Sequence, residues 1–219
     1  MRSQMTELRL QEMEKIGILP SQKEIQWRAP GEETRPQPRE GEVVVFADHI
    51  TRGFRPPGSR FFRNLLGAYG LHPQDLSPNS VLNINHFQVF CEVYLQRKPT
   101  LTLFAEFFYG NKQTEYSGGP LLECGGISIQ RRIRSTYPSM RLSTRVKTWQ
   151  KSFFYCTAKV PEGENPLPGF RDSRLVYHDG LNAFPSDKQR DKFKPVIARM
   201  KALLAQGLLA TDLIRCWVG

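Results

Sequence analysis

In the stretch NINHFQVFCEVYL, residues 83–95, a histidine, a cysteine and a glutamate fall within seven positions: His86, Cys91 and Glu92. Imidazole, thiol and carboxylate are the groups that ligate metals or, through the thiolate, react. Helical spacing argues against either role. At about 100° per residue, His86 and Cys91 stand roughly 140° apart around the axis and His86 and Glu92 roughly 120° apart, so the three cannot converge on one ligand. The polar residues Asn85, Gln88, Glu92 and Gln96 share one narrow strip. Ile84, Phe87, Phe90, Cys91, Tyr94 and Leu95 form a broad apolar face, which Leu82, Val89 and Val93 extend around the back. A helix apolar over most of its circumference is a buried one. The spacing therefore predicts a core helix over 78–96, with Ser77 as N-cap, Pro78 at its first position and Pro99 beyond its end. Cys91 becomes a small core residue and His86 a packed, hydrogen-bonded histidine.

A second group of residues points to binding. The chain carries a net charge of +10, and residues 124–161 contain no Asp or Glu. That window holds eight of the basic side chains: Arg131, Arg132, Arg134, Arg141, Arg145, Lys147, Lys151 and Lys159. The rest of the chain is nearly balanced. Such a patch favours an anionic partner, nucleic acid first among them. Tyr137, Trp149 and Tyr155 are interleaved with the charges, and an exposed aromatic there could stack on single-stranded bases. Trp149, Phe153 and Phe154 are assigned to the core, because a WxxxFF cluster is a packing pattern. The glycine pairs of SGGP and CGGI are adjacent to Arg131 and Arg132 but no helix start comes after them, so they are expected to be turns.

Other chemistries find little support. The four cysteines, Cys91, Cys124, Cys156 and Cys216, form no CxxC, and no HxxxH is present, so zinc and other cofactors are not expected. Free thiols are expected. No GxGxxG, Walker or GxSxG motif occurs, and no small-molecule substrate is evident. No apolar run approaches about 18 residues, and the charged N-terminus lacks a signal-peptide core, which predicts an intracellular, non-membrane protein.

Local patterns predict the helices and strands that carry these residues. EKIGIL, GAYGLH and LAQGLL each end a helical pattern with glycine and then an apolar residue, so Gly17, Gly70 and Gly207 are expected at left-handed helix ends. Helices are predicted over 6–16, 60–69, 101–109 and 187–206, the last shortened or kinked by Pro195. Residues 20–42 are Pro-, Glu- and Gly-rich and predict an extended linker in which only Trp27 docks. Strands are predicted at 127–132 and 152–159, forming one small sheet with 43–46 as a candidate third strand, and a further short strand at 173–179. TDLIRCWVG starts a last helix too short to stand alone.

The order of EVVVFADHITRGFRPP, FFRNLLGAYGLHPQDLSPNSVLNINHFQVFCEVYL, PTLTLFAEFFYG, GGISIQRR and KTWQKSFFYC resembles a plant-specific family of gypsy-type transposon, or transposase, domains. The resemblance runs from about Val43 to Cys156. Phe104 stands where the family often has Trp, an aromatic replacement. The flanks, GILP and GLLATDLIRCWV, are also similar, and in the family the latter runs on into an Arg- and Pro-containing stretch and often a coiled coil. This implies a natural polypeptide continuing past Gly219. The resemblance implies an association with retroelements and no known catalysed reaction. The motifs agree: Asp172-Ser173-Arg174 replaces the Asp-Ser-Gly of an aspartic protease, no Asp-Asp pair of a reverse transcriptase occurs, and an integrase zinc module is missing.

The expectation is thus a helix-dominated α+β single domain with a small antiparallel sheet, flanked by N- and C-terminal helices. It divides into an N-terminal helix (1–19), a linker (20–42), the transposon-like domain (43–185) and a C-terminal helical segment (186–219). The expected function is non-catalytic, with DNA or RNA bound non-specifically through Arg131, Arg132, Arg134, Arg141, Arg145 and Lys147. The alternative is a protein-interaction or self-association module leading into a coiled coil.

Overall fold

A computed structural model describes residues 2–112, 124–133, 135–138, 148–157, 159–171 and 179–215. Helices α1 (Glu7–Lys15), α2 (Ala47–Ile50), α3 (Arg60–Tyr69), α4 (Pro78–Val89), α5 (Leu101–Phe107), α6 (Asp187–Ala205) and α7 (Ala210–Arg215) dominate. Strands β1 (Trp27–Arg28), β2 (Glu42–Phe46), β3 (Phe108–Lys112), β4 (Ile127–Arg131) and β5 (Phe153–Thr157) are short. The fold is α+β, helix-dominated and antiparallel in its sheets.

Local chemistry sets the helix ends. Thr6, Ser59 and Ser77 accept the backbone N–H three residues on, from Arg9, Phe62 and Ser80. Gly17, Gly70 and Gly207 have φ of 74°, 61° and 94°. Behind each, a reverse bond closes the last turn: Ile18 N–H to Met13 O, Leu71 N–H to Leu66 O and Leu208 N–H to Leu203 O. Helix α6 runs through Pro195 without a break. Pro195 lies on the exposed face, where water can satisfy the Asp191 carbonyl that the missing N–H leaves. Its buried stripe is narrower than expected: Phe193 and Met200 are buried, whereas Val196, Ile197, Leu203 and Leu204 are half-buried.

The strands expected at 127–132 and 152–159 do not pair with each other. Instead β5 is the central strand of one sheet, ordered β1–β5–β2, and β4 pairs with β3 in a second. The last two residues of the expected 101–109 helix, Phe108 and Tyr109, open β3. The region expected as a strand at 173–179 lies almost wholly outside the described residues.

Alternation along β2 and β5 splits the hydrophobic residues between two faces. Val43, Val45, Phe154 and Cys156 face the main core, while Val44, Phe46, Phe153 and Tyr155 join Trp149 in a second cluster. Residues 20–42 begin with a hydrogen-bonded turn at 21–25, run on through β1 and are anchored to the sheet. Trp27 is buried and donates from Nε1 to Pro20 O, and Arg28 grips Glu42 through two 2.7 Å bonds while lying 4.0 Å over the Tyr155 ring. The Tyr155 hydroxyl bonds Glu33 and accepts the Gln37 N–H, which closes this arm over the second cluster.

The main core is aromatic. Phe61, Phe87, Phe104, Phe107, Phe108 and Tyr137 pack ring against ring, with Phe104 and Phe108 stacked at 4.8 Å. Helix α4 runs beside β4, whose free edge it satisfies with side chains: Ser80 Oγ donates to Ile127 O and accepts from Ile129 N–H, and Asn83 donates to Ile129 O. Two ion pairs, each with one partner buried, tie residues 164–171 down: Arg63 to Glu164 and Arg171 to Asp75.

Candidate nucleic-acid interface

Both functional groups at the centre of the 83–95 stretch belong to the core. Cys91 and His86 are fully buried. His86 Nδ1 is 2.8 Å from the Tyr137 hydroxyl, and Nε2 is 3.1 Å from Ala210 O at the start of α7. A carbonyl only accepts, so Nε2 carries the proton and Nδ1 accepts from Tyr137. Burial pushes the His86 pKa down to about 4 and the Cys91 thiol up to about 12. Glu92 faces solvent. Among the described residues, no three His, Cys, Asp or Glu side chains gather where a metal could sit.

Two details of this helix differ from the expected strip and face. Asn85 is buried and donates to Arg52 O. Val93 is 52% exposed. Residues Phe90–Tyr94 form a wider, π-helical turn, which rotates its residues away from the 100° spacing.

Asp48, His49 and Ser152 also meet, in a mixture that superficially suggests nucleophilic chemistry. Ser152 Oγ bonds the Asp48 carboxylate at 2.8 Å. His49, however, directs Nε2 to Leu76 O at 3.1 Å and packs its ring on Trp149 and Phe46. Burial depresses its pKa to about 3. The arrangement pins α2 to the start of β5.

In the basic segment, neighbouring arginines have opposite roles. Arg131 ends β4 with an exposed side chain, whose Nη1 reaches Ser135 O at 2.8 Å and Tyr137 O at 3.2 Å. Arg132 points the other way and is only 8% exposed. Its guanidinium donates to the carbonyls of Ala105 (2.7 Å), Asn182 (3.2 Å) and Ala183 (2.9 Å), and burial lowers its pKa. Arg132 is thus a structural cross-link between α5, β4 and the turn before α6. Its Nε and Nη2 are bonded to backbone carbonyls, which sets it apart from exposed Arg131. Arg134, Arg141, Arg145 and Lys147 lie outside the described residues. Lys159 is exposed and Lys151 half-buried.

The aromatics expected among these charges are not available for stacking. Tyr137, Trp149 and Tyr155 are all buried, and Trp149, Phe153 and Phe154 do belong to the core. Tyr137 and Trp149 therefore anchor the chain on either side of Arg141, Arg145 and Lys147. Among the described residues, the exposed aromatic near the segment is one that sequence reasoning missed. Phe184 is 64% exposed and lies under the Arg132 guanidinium, 3.8 Å from ring centroid to Cζ. A lone Phe in the polar run NAFPSD was the available clue.

Among the described residues, no helix is long and apolar enough to cross a membrane. No curated protein and no solved structure matches the chain significantly. Residues 43–112, from the sheet strand β2 through the hairpin strand β3, match the family described as putative gypsy type transposon.

Proposed function

We propose that this chain is a non-catalytic, retroelement-derived domain that binds nucleic acid without sequence specificity through residues 124–161. One observation carries the reading: eight basic residues and no acidic one in that window of a chain that is otherwise nearly neutral. The fold supports it in two ways. Arg131 and Lys159 are exposed, and buried Tyr137 and Trp149 hold the ends of the stretch that includes Arg141, Arg145 and Lys147. Lysines and arginines there neutralise phosphates and release counterions, so affinity falls with salt. The test is a titration of single- and double-stranded DNA and RNA across a salt series. Charge reversal at Arg131, Arg134 and Arg141 should flatten the slope of log K against log salt by roughly 0.7–0.9 per lost phosphate contact. Absence of binding at about 50 mM salt, where such contacts are strongest, defeats the proposal.

A second reading rests on α6. Its apolar stripe is only half covered, and Leu209 just beyond it is 61% exposed. As a docking surface it would give self-association or partner binding insensitive to salt. Sedimentation at low and high salt separates the two readings.

A further inference from the structure

We infer that Phe184 is a stacking platform for the bases of single-stranded nucleic acid, a role that rests on the nucleic-acid binding proposed above. Exposure alone would not make the case, since single apolar side chains on a surface are ordinary. What distinguishes Phe184 is that its ring is held in place. The Arg132 guanidinium covers one face at 3.8 Å, and with 64% of the residue still exposed the opposite face is open. Arg132 itself is fixed by three carbonyls, two of which belong to Asn182 and Ala183, the residues immediately before Phe184. Leu181 and Pro185, on either side, are buried. The turn cannot move without breaking those bonds, so little ordering remains to be done when a ligand arrives.

The chemistry of the open face selects the ligand. Every nucleobase presents a flat π surface, and stacking on an aromatic ring is tolerant of sequence. In a duplex those surfaces are covered by neighbouring base pairs, so only unpaired bases can use the ring. The charge nearby is mixed, with exposed Asp187 beside the basic groups, so the ring rather than charge selects the ligand. Exposed Arg131 precedes Arg132 in the chain, and exposed Lys188 lies in the first turn of α6, just after Phe184. Ile133, 87% exposed, adds an apolar contact next to Arg132. Glu106, the carboxylate that acts on Arg132, is neutralised by Arg190 at 3.1 Å.

The experiment compares the full chain with Phe184→Ala, Phe184→Leu and Phe184→Trp on oligo-dT, an abasic oligomer of equal length and a duplex. The Ala and Leu variants should weaken oligo-dT binding about tenfold, with Trp retaining it. Abasic and duplex affinities, and the salt slope, should stay unchanged. Thermal unfolding verifies that each variant is folded, and Phe184→Leu preserves an apolar group if Ala perturbs the turn. If oligo-dT affinity stays within twofold in both Ala and Leu variants, the platform is wrong while the proposed binding stands. Equal loss on all three ligands also overturns it. If the variants change sedimentation and leave oligo-dT binding intact, Phe184 is a protein contact instead. If the unaltered chain binds nothing at low salt, the proposed function falls and takes the platform with it.

Discussion

The Tyr137 hydroxyl donates to His86 Nδ1 at 2.8 Å, joining α4 to the segment that leaves β4. The other ring nitrogen holds α7 through Ala210 O, so one imidazole links three parts of the chain. Tyr137→Phe removes the donor and leaves a buried acceptor without a partner. The expected cost is about 1–3 kcal/mol, visible as a lower urea midpoint. A midpoint equal to that of the unaltered protein would show that the link carries no stability.

The same burial makes stability depend on pH. His49 and His86 have folded pKa values lowered to about 3 and about 4, against an ordinary 6.5. The unfolded chain binds protons first, so the stability these groups contribute is full above 6.5 and is lost as pH falls towards their folded values. A lowering by one pKa unit corresponds to about 1.4 kcal/mol as an upper bound. Glu42, held below its usual value by Arg28, adds loss in the same direction only below about 4.5. Asp75, whose carboxyl pKa is pushed up by burial, contributes with the opposite sign, so the histidine part is read by comparing denaturation at about pH 7.5, 6 and 5 between the unaltered protein and a histidine variant. His86→Gln should flatten that dependence, and an unchanged slope would count against the assignment.

Thiol reactivity should divide by burial. Cys91 and Cys156 are buried with pKa values pushed up to about 12, so neither forms appreciable thiolate at about pH 8. Mass-spectrometric mapping after brief treatment with a disulfide reagent should find both unmodified in the folded protein and modified in urea. Cys91→Ser should cost about 1–3 kcal/mol, because the hydroxyl needs a bond the site does not offer.

Adjacent arginines should give opposite results. Arg132→Gln strands carbonyls of two chain segments, at Ala105 and at Asn182 and Ala183, and should lower stability by about 2–4 kcal/mol. Arg131→Glu loses only the exposed and part-buried bonds to Ser135 O and Tyr137 O, so it should cost about 1 kcal/mol or less and act mainly on nucleic-acid affinity. Comparable stability losses in both would remove the distinction between them.

Gly110 is the packing floor for the turn that carries Phe184. A Cβ there would lie 2.8 Å from Leu181 Cδ1 and 2.9 Å from its Cβ. Gly110→Ala should destabilise by about 1–3 kcal/mol and speed hydrogen exchange at residues 180–184. Unchanged exchange would mean that Leu181 has room to shift.

What was legible in the sequence was local. Ser77 and Pro78, the three glycines at helix ends and the apolar wrap of α4 act within a turn or two of themselves, so their neighbours in the chain are their neighbours in space. Cys91 and His86 could be placed from that wrap. Strand partnership was legible only in part: 43–46 was a candidate for the sheet that holds 152–159 and does pair with it, whereas β3, the partner of β4, is concealed at the end of a helical pattern. The role of Arg132 was equally hidden. Its residue type suggests solvent, and the carbonyls of Asn182 and Ala183 that bury it lie 50 and 51 residues away.

The sheet order β1–β5–β2 has a consequence for synthesis. A ribosome that has released residues 43–112 has completed the whole family-matched segment, yet β5 and β4, the partners of β2 and β3, are still inside it or unmade. Two strand edges are then unpaired: that of β3 until residue 131 emerges, and that of β2, rich in Val, until residue 157. The matched segment is therefore not a unit of folding by itself, because both of its strands pair with chain that follows it.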